Sequence, residues 1–389
     1  MKKIKICVVT GTRADYGLLF WLLKDLEQDE MFELDLVATG MHLSAEFGFT
    51  YKEIEKDFKI SKKIEMSLAS DSPKNITKAM GNAQILFADA YDEIKPDIVL
   101  VLGDRYEILS SVIAAMMARI PIAHLHGGES SEGLIDEPIR HSITKMSQLH
   151  FCATERYKSR IIQMGENPDR VFNVGGMGIE NIKRLQLLSK TEFEQSTGVK
   201  IDKKNLLITF HPVTFEKNSS KKQFQEVLDA VTELNDTSLI FTKANSDIDG
   251  KVINQMIDEY AGRNSSNSYA FVSMGQLKYL SAMQFIDGIV GNSSSGLTEA
   301  PTFKIGTINI GDRQKGRIKA KSVIDCLPNK ASIKNALKKL YSKDFQSNLS
   351  EVENPYGDGC ASKYIIETLK TIKLENILKK EFFKILYGL

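Results

Sequence analysis

Seven short apolar runs in this chain each stop at a knot of glycine, charge and histidine. Residues 6–9 stop at Thr10-Gly11-Thr12-Arg13-Ala14-Asp15-Tyr16-Gly17, residues 34–38 at Thr39-Gly40-Met41-His42, and residues 98–102 at Gly103-Asp104-Arg105. Residues 122–125 stop at His126-Gly127-Gly128-Glu129, and residues 206–210 at His211-Pro212. Residues 286–290 stop at Gly291-Asn292-Ser293-Ser294-Ser295-Gly296, and residues 305–310 at Gly311-Asp312-Arg313. A run of Val, Ile and Leu bounded by turn residues is the pattern of a strand buried on both faces. Open parallel sheets bind ligands outside the carboxyl ends of their strands. Chemistry at every strand exit therefore predicts one shared cleft.

Helical spacing fills the intervals. Leu18, Leu19, Leu22, Leu23 and Leu26 follow the first glycine turn, and Ile108, Leu109, Val112 and Ile113 follow Asp104-Arg105. Pro138 is expected to open a third helix through Ile139, Ile143 and Met146, with Asp136 and Glu137 at its N-terminal edge. Strands at 149–153 and 171–174 flank a helix at 156–164, and Gly175-Gly176-Met177-Gly178 interrupts the alternation. A second series follows: strands at 206–210, 239–242, 269–272, 285–290 and 304–310, with helices at 222–234, 252–260 and 331–340. A long amphipathic helix pattern runs from about 361 to the C-terminus.

Repeated βαβ units imply parallel sheets with right-handed crossovers, and 389 residues exceed one ordinary core. The expected fold is α/β, two doubly wound Rossmann-like domains with the cleft between them. The expected domains are 1–178, 179–360 as the nucleotide-binding half, and a C-terminal helix at 361–389 packing back on the first; a hinge is expected near 175–182.

Charge excludes some functions. Net charge is +1 with Lys and Arg spread along the chain, so no nucleic-acid partner is expected. No stretch reaches 18 apolar residues, so no membrane span is expected, and no signal-peptide core precedes Gly11. Cys7, Cys152, Cys326 and Cys360 form no CxxC pair, which fits free thiols in a reducing cytoplasm. No His, Asp or Glu cluster has metal-ligand spacing, and neither a G-x-S-x-G elbow nor a Cys–His pair stands out. Neither metal nor cofactor is expected.

The knots carry the candidate chemistry. Gly11-Thr12-Arg13 lies between strand and helix and lacks the GxGxxG spacing, but it offers backbone N–H groups and Arg13 to an anion. The Gly291–Gly296 segment, written 291–296, offers hydroxyls and small residues to a pyrophosphate, and Glu299, one helical turn on, suits a ribose. An N-cap serine cluster is the plainer account of the same residues. The acid–base candidates are Asp104, Glu129, Asp136, Glu137, His42, His126 and His211. Asp136 and Glu137 also fit as ordinary acidic residues of a first helical turn. Carboxylates sharing a cleft push their pKa values apart, which suits one acid and one base. His124 and His150, inside strands, read as hydrogen-bonded core residues.

Eight ordered motifs resemble the hydrolysing UDP-N-acetylglucosamine 2-epimerases of bacterial sialic acid synthesis. They are residues 11–17, 39–42, 103–107, 126–129, 136–147, 211–212, 291–296 and 309–317. The resemblance implies a GT-B-like fold and a UDP-linked 2-acetamido sugar as substrate. It also implies a reaction without metal or cofactor, and a homo-oligomer, dimer or tetramer. A base takes the C2 proton while UDP leaves C1; water and a proton then add to the resulting 2-acetamidoglucal, giving N-acetylmannosamine. By motif position Asp104, Glu129 and Asp136 resemble the catalytic carboxylates, with Glu137 and His42 beside them. Arg13, His211, Asn292, Ser293, Ser294, Ser295, Gly296, Glu299, Arg313 and Arg317 resemble the UDP-binding groups. UDP-2,4-diacetamido-2,4,6-trideoxyglucose is the alternative substrate. A GT-B glycosyltransferase or a nucleotide-sugar sensor would share the fold, but the transferase would leave Glu129 and Asp136 unexplained.

Overall fold

A computed structural model of the chain describes residues 3–45, 48–66, 72–130, 135–212, 220–244 and 250–385. The chain forms two compact units, 1–181 with 356–389, and 182–355. In the first, strands β1 (Ile4–Thr10), β2 (Phe32–Thr39), β3 (Ile60–Ile64), β4 (Ile98–Leu102), β5 (Ile122–Leu125), β6 (Leu149–Cys152) and β7 (Val171–Asn173) form one sheet in the order β3-β2-β1-β4-β5-β6-β7. In the second, β8 (Lys204–Thr209), β9 (Thr237–Thr242), β10 (Ser268–Phe271), β11 (Gly288–Gly291), β12 (Gly306–Ile310) and β13 (Val323–Cys326) run β10-β9-β8-β11-β12-β13. Every pairing is parallel. Strand order reverses between β1 and β4 in the first unit and between β8 and β11 in the second. Those are the points where doubly wound sheets open a ligand crevice.

Side-chain alternation divides the first unit's core into two layers. Ile6, Val8, Leu36, Ala38, Leu100 and Phe151 face the helices Arg13–Gln28 and Ala361–Thr371. Cys7, Val9, Val37, Val99, Val101 and Ile122 face the helices Pro73–Ile94, Tyr106–Met117 and Asp136–Met146. Helices on both faces are what strands with apolar residues at every position require.

The apolar runs lie on central strands, which bury both faces. Of the four edge strands, β7 and β10 are among the expected strands, whereas β3 and β13 escaped the periodicity. Ile60-Ser61-Lys62-Lys63-Ile64 carries two lysines in its middle, as an edge strand tolerates. The helix Pro73–Ile94, N-capped by Ser72, was also not read from the sequence. The third helix begins at Asp136, not Pro138, which puts Asp136 and Glu137 within its first turn. Residues 177–184 are helical (Met177–Arg184), so the expected hinge region contains a helix that crosses the unit boundary at 181/182.

The C-terminal helix is shorter than its pattern, ending at Thr371, and residues 386–389 lie outside the described residues. The chain after it docks on the first unit instead. Lys380 donates to the carbonyls of Lys145 (2.9 Å) and Ser147 (2.7 Å), and its ammonium pairs with buried Glu166 (2.6 Å). Burial alone would raise Glu166, but bonds from His150, Lys145 and Lys380 hold it down to about 2. A buried carboxylate with three donors fixes the tail as a helix continuing into solvent would not.

Candidate active site

In the first unit the candidate groups sit at the carboxyl ends of β1, β2, β4 and β5. The turn after β4 is set from beneath. His124 on β5, fully buried, places Nε2 2.7 Å from the Gly103 carbonyl and Nδ1 3.1 Å from the Thr144 hydroxyl. A carbonyl only accepts, so Nε2 carries the proton. Burial pushes His124 down to about 3, which keeps it neutral. It is the core histidine expected from its strand, and it fixes the residue preceding Asp104.

Asp104 is paired with Arg140 of the helix Asp136–Met146. Burial raises the pKa of Asp104; Arg140 lowers it, and the charges of Asp136 and Glu129 raise it. Three carboxylates from three different segments therefore share one electrostatic neighbourhood, as the sequence suggested for an acid–base site.

The structure separates the two acids at 136 and 137. Glu137 accepts from the Ser130 hydroxyl (3.0 Å), meets His141 Nε2 (3.1 Å) and lies 3.6 Å from Arg140 Nη1. Those contacts brace its own helix, and 23% of its side-chain surface stays exposed. Asp136 is half-buried beside it and acts on Asp104 through its charge. His42 is enclosed at the β2 exit. It has no exposed surface, its ring nitrogens lie 3.1 Å from Thr10 Oγ1 and 2.8 Å from Thr50 Oγ1, and burial lowers its pKa to about 4. Neutral and engaged at both nitrogens, it ties the β2 exit to β1.

The loop after β5 is clamped. Gly128 has φ +76°, and a Cβ there would come within 2.5 Å of the Tyr157 carbonyl. Arg160 donates to the Gly128 carbonyl at 2.6 Å. Glu129 follows directly, with Oε1 3.1 Å from His126 Nδ1. At the β1 exit, Thr12 caps the helix Arg13–Gln28 by accepting from the Asp15 N–H (3.2 Å). Arg13 projects from that first turn with 73% of its side chain exposed, 3.2 Å from Glu53. Behind it Glu107 is fully buried against Gly11 and receives Arg105 Nε at 2.5 Å. Burial raises Asp15 to about 6, with the charge of Glu107 adding to it.

In the second unit the crevice lies between the exits of β8 and β11. Asn292 spans it: its Oδ1 accepts the His211 N–H (2.7 Å) and its Nδ2 donates to the His211 carbonyl (2.8 Å). Each such bond contributes about 1 kcal/mol net, whereas a buried amide left unmet costs about 1–3 kcal/mol. Asn292 has no exposed surface. Its side chain is a scaffold for His211. Its carbonyl in turn receives Arg313 Nη1 (3.1 Å) and Gln314 Nε2 (2.8 Å).

The glycines of the serine segment have packing roles. Gly291 has φ +141°, and a Cβ there would sit 1.8 Å from the Thr209 carbonyl oxygen. At Gly296 a Cβ would meet Thr307 Cγ2 at 2.6 Å, while its carbonyl accepts from Thr307 Oγ1 (2.7 Å). Gly296 is thus buried against β12. The helix after the serines is one turn, Ser295–Thr298, capped at Glu299. Pro301 opens a separate 3₁₀ turn just beyond, so no long helix dipole stands behind Ser293 and Ser294. Ser293, Ser294 and Glu299 are half-buried, Ser295 and His211 nearly buried, and Arg313 and Arg317 exposed.

Three residues of the site were not singled out from the sequence. Arg140 holds Asp104; its signal was a charge beside Ile139 and Ile143 on the inward helix face, where unpaired charge is rare. Gln314 holds Asn292. The Tyr279 phenol lies against Ser295, Thr209 and Ser293, and burial pushes it up to about 12.

Comparison with known proteins places this architecture. A family model described as UDP-N-acetylglucosamine 2-epimerase matches residues 24–370. The GDP/UDP-N,N'-diacetylbacillosamine 2-epimerase (hydrolyzing) of Campylobacter jejuni is 45% identical over 383 residues, covering 98% of this chain and 99% of that protein. The UDP-N,N'-diacetylbacillosamine 2-epimerase (hydrolyzing) of Legionella pneumophila is 39% identical over 97% of this chain and 98% of its own length. The same two-sheet fold occurs in the crystal structure of a UDP-N-acetylglucosamine 2-epimerase from Listeria monocytogenes, with a TM-score of 0.79 at 18% identity, covering 99% of this chain and 100% of that one. With a family model spanning most of its length and relatives matched nearly end to end, this chain belongs to the UDP-N-acetylglucosamine 2-epimerase family.

Proposed function

We propose that the chain is a hydrolysing 2-epimerase: it converts a nucleotide-linked 2-acetamido sugar and water into the free 2-epimer and the nucleoside diphosphate. The observation that carries this is the grouping of Asp104 at the β4 exit, Glu129 after β5 and Asp136 on the following helix, the last two acting on Asp104 through their charges. Elimination takes the C2 proton onto a carboxylate, and the C1–O bond breaks with its electron pair going to the diphosphate. Water then adds to C1, and a proton returns to C2 from the opposite face. One carboxylate reaches both faces of a ring poorly, so two proton-transfer groups are needed. Asp104 and Glu129 are the candidates for these two groups, one as base and one as acid. Arg13 in the first unit, and His211, Ser293, Ser294, Glu299, Arg313 and Arg317 in the second, are the candidate nucleotide contacts.

The relatives named for N,N'-diacetylbacillosamine, 45% and 39% identical, favour the UDP-linked diacetamido-trideoxy sugar as substrate. UDP-N-acetylglucosamine, giving N-acetylmannosamine, is the second reading, favoured by the family description and by the motif pattern. Incubation with each UDP-sugar, and with the GDP-linked diacetamido sugar, followed by NMR of the product, separates them. In D₂O the product should carry deuterium at C2 at early times, and in ¹⁸O-water it should carry ¹⁸O at C1. Retained protium at C2 would rule out elimination.

A further inference from the structure

We propose that His126 is a positioning residue for Glu129, and that it ties this carboxylate to the first turn of the helix leading the chain into the second unit. The proposal rests on the acid–base reading of Glu129 given above.

His126 has φ +61°, a left-handed conformation that residues with a Cβ keep only when their surroundings impose it. The surroundings do. Its N–H donates to the Phe151 carbonyl at 2.9 Å, and two residues on, Gly128 is packed without room for a Cβ. The left-handed turn sends the ring away from the path of β5, between two partners.

One partner is the backbone N–H of Met177, 3.3 Å from Nε2. An amide N–H can only donate, so Nε2 carries the lone pair and the ring proton is on Nδ1. Nδ1 lies 3.1 Å from Glu129 Oε1 and donates to it. One oxygen of Glu129 is thereby held in a fixed direction. The tautomer is set by the bond the far nitrogen makes, which is how a histidine is oriented to serve a neighbour.

The second partner explains where the constraint comes from. Met177 opens the helix Met177–Arg184, whose first N–H groups need acceptors from outside the helix. The preceding Gly175 and Gly176 have no side chain to supply one, and the His126 ring does. Met177 itself is buried in the first unit's core, Asn181 donates to the Gly17 carbonyl (3.3 Å), and Glu180 accepts from Ser362. Two residues after Glu180 the chain enters the second unit. The proton position on His126, and with it the aim of Glu129, is thus fixed by the segment that joins the units.

The test compares two substitutions that both tolerate a left-handed backbone. In His126→Asn the amide keeps an N–H donor near the position of Nδ1. In His126→Asp a carboxylate replaces it and faces Glu129. Turnover is measured on whichever of UDP-N-acetylglucosamine and UDP-N,N'-diacetylbacillosamine the wild type converts faster. His126→Asn keeps the donor to Glu129 but loses the Met177 contact and should lower kcat about 3–10-fold, and His126→Asp should lower it roughly 100-fold with KM little changed, as expected when a reacting group is mispositioned. In the Glu129→Gln background the Asn and Asp variants should differ by less than about threefold, because the group through which His126 acts is gone. Equal kcat for the two variants in the wild-type background overturns the proposal. So does an undiminished difference between them in an impaired Glu129→Gln background, which leaves the role of Glu129 standing. Near-wild-type turnover of Glu129→Gln alone overturns the acid–base reading and this proposal together.

Discussion

Replacing Arg140 with methionine tests whether one guanidinium holds the carboxylate cluster together. Methionine keeps an apolar stem of similar reach, so the change removes charge and hydrogen bonds with little loss of packing. Asp104 retains 19% of its side-chain surface and Arg140 8%, so the pair is mostly removed from water. Breaking a buried pair by removing one partner costs about 3–5 kcal/mol, because the remaining charge is left uncompensated. Here that charge is Asp104, and without Arg140 the remaining influences are burial, Asp136 and Glu129, all of which raise its pKa. Asp104 can escape by binding a proton, which gives the cost a pH dependence. A carboxylate whose folded pKa lies above its unfolded value contributes stability that is complete below the unfolded value and lost as pH rises through the folded one. Asp104 is already raised in the wild type and would be raised further in Arg140→Met. The variant should therefore trail the wild type by about 3 kcal/mol or more near pH 8 and by clearly less near pH 5. Trp21, the single tryptophan, lies on the helix Arg13–Gln28, so its fluorescence in urea follows unfolding of the first unit. An equal deficit at both pH values, or one below about 1 kcal/mol near pH 8, would refute the reasoning.

Three further outcomes are expected. Asp104→Asn and Glu129→Gln should each lose about 10²–10⁴-fold in turnover while UDP affinity by calorimetry stays near wild type; near-wild-type turnover removes that residue from the chemistry. Gly291→Ala should destabilise the second unit by on the order of 3 kcal/mol or more, since a Cβ 1.8 Å from the Thr209 oxygen forces the backbone to move; hydrogen exchange of β8 and β11 unchanged from wild type would contradict this. His42 is held down to about 4, so the folded first unit resists its protonation, and the stability this contributes is present above the unfolded value and lost as pH falls toward 4. His42→Gln should remove up to about 1.4 kcal/mol per pH unit from the slope of stability between roughly pH 6.5 and 4; an unchanged slope by Trp21 fluorescence would show that His42 is not buried as a neutral ring.

The amino-acid sequence by itself determined the class of fold and where its chemistry gathers. A strand buried on both faces must be apolar at every position, and the turn after it must be glycine or polar, so β1, β2, β4, β5, β8, β11 and β12 with their exits could be read without coordinates. The edge strand β3 could not, because it buries little and carries Lys62 and Lys63 in its middle. Nor did the amphipathic pattern after residue 361 disclose that Lys380 would turn inward to Glu166, 214 positions away in sequence.

Within the site, residue type named the candidates but not their tasks. Asp136 and Glu137 are neighbours of one charge and one motif; only the tertiary structure placed Glu137 among Ser130, Arg140 and His141. His42 and His126 follow equivalent strands, yet one is sealed between two threonines and the other bridges Glu129 and Met177. Asn292 and Gly296 sat in a segment that suggested phosphate, and both are consumed by packing and backbone bonds. Hydrophobic periodicity is local and survives in the sequence, whereas a side chain's role depends on which distant donor or acceptor reaches it first. That is decided when the strands come into register.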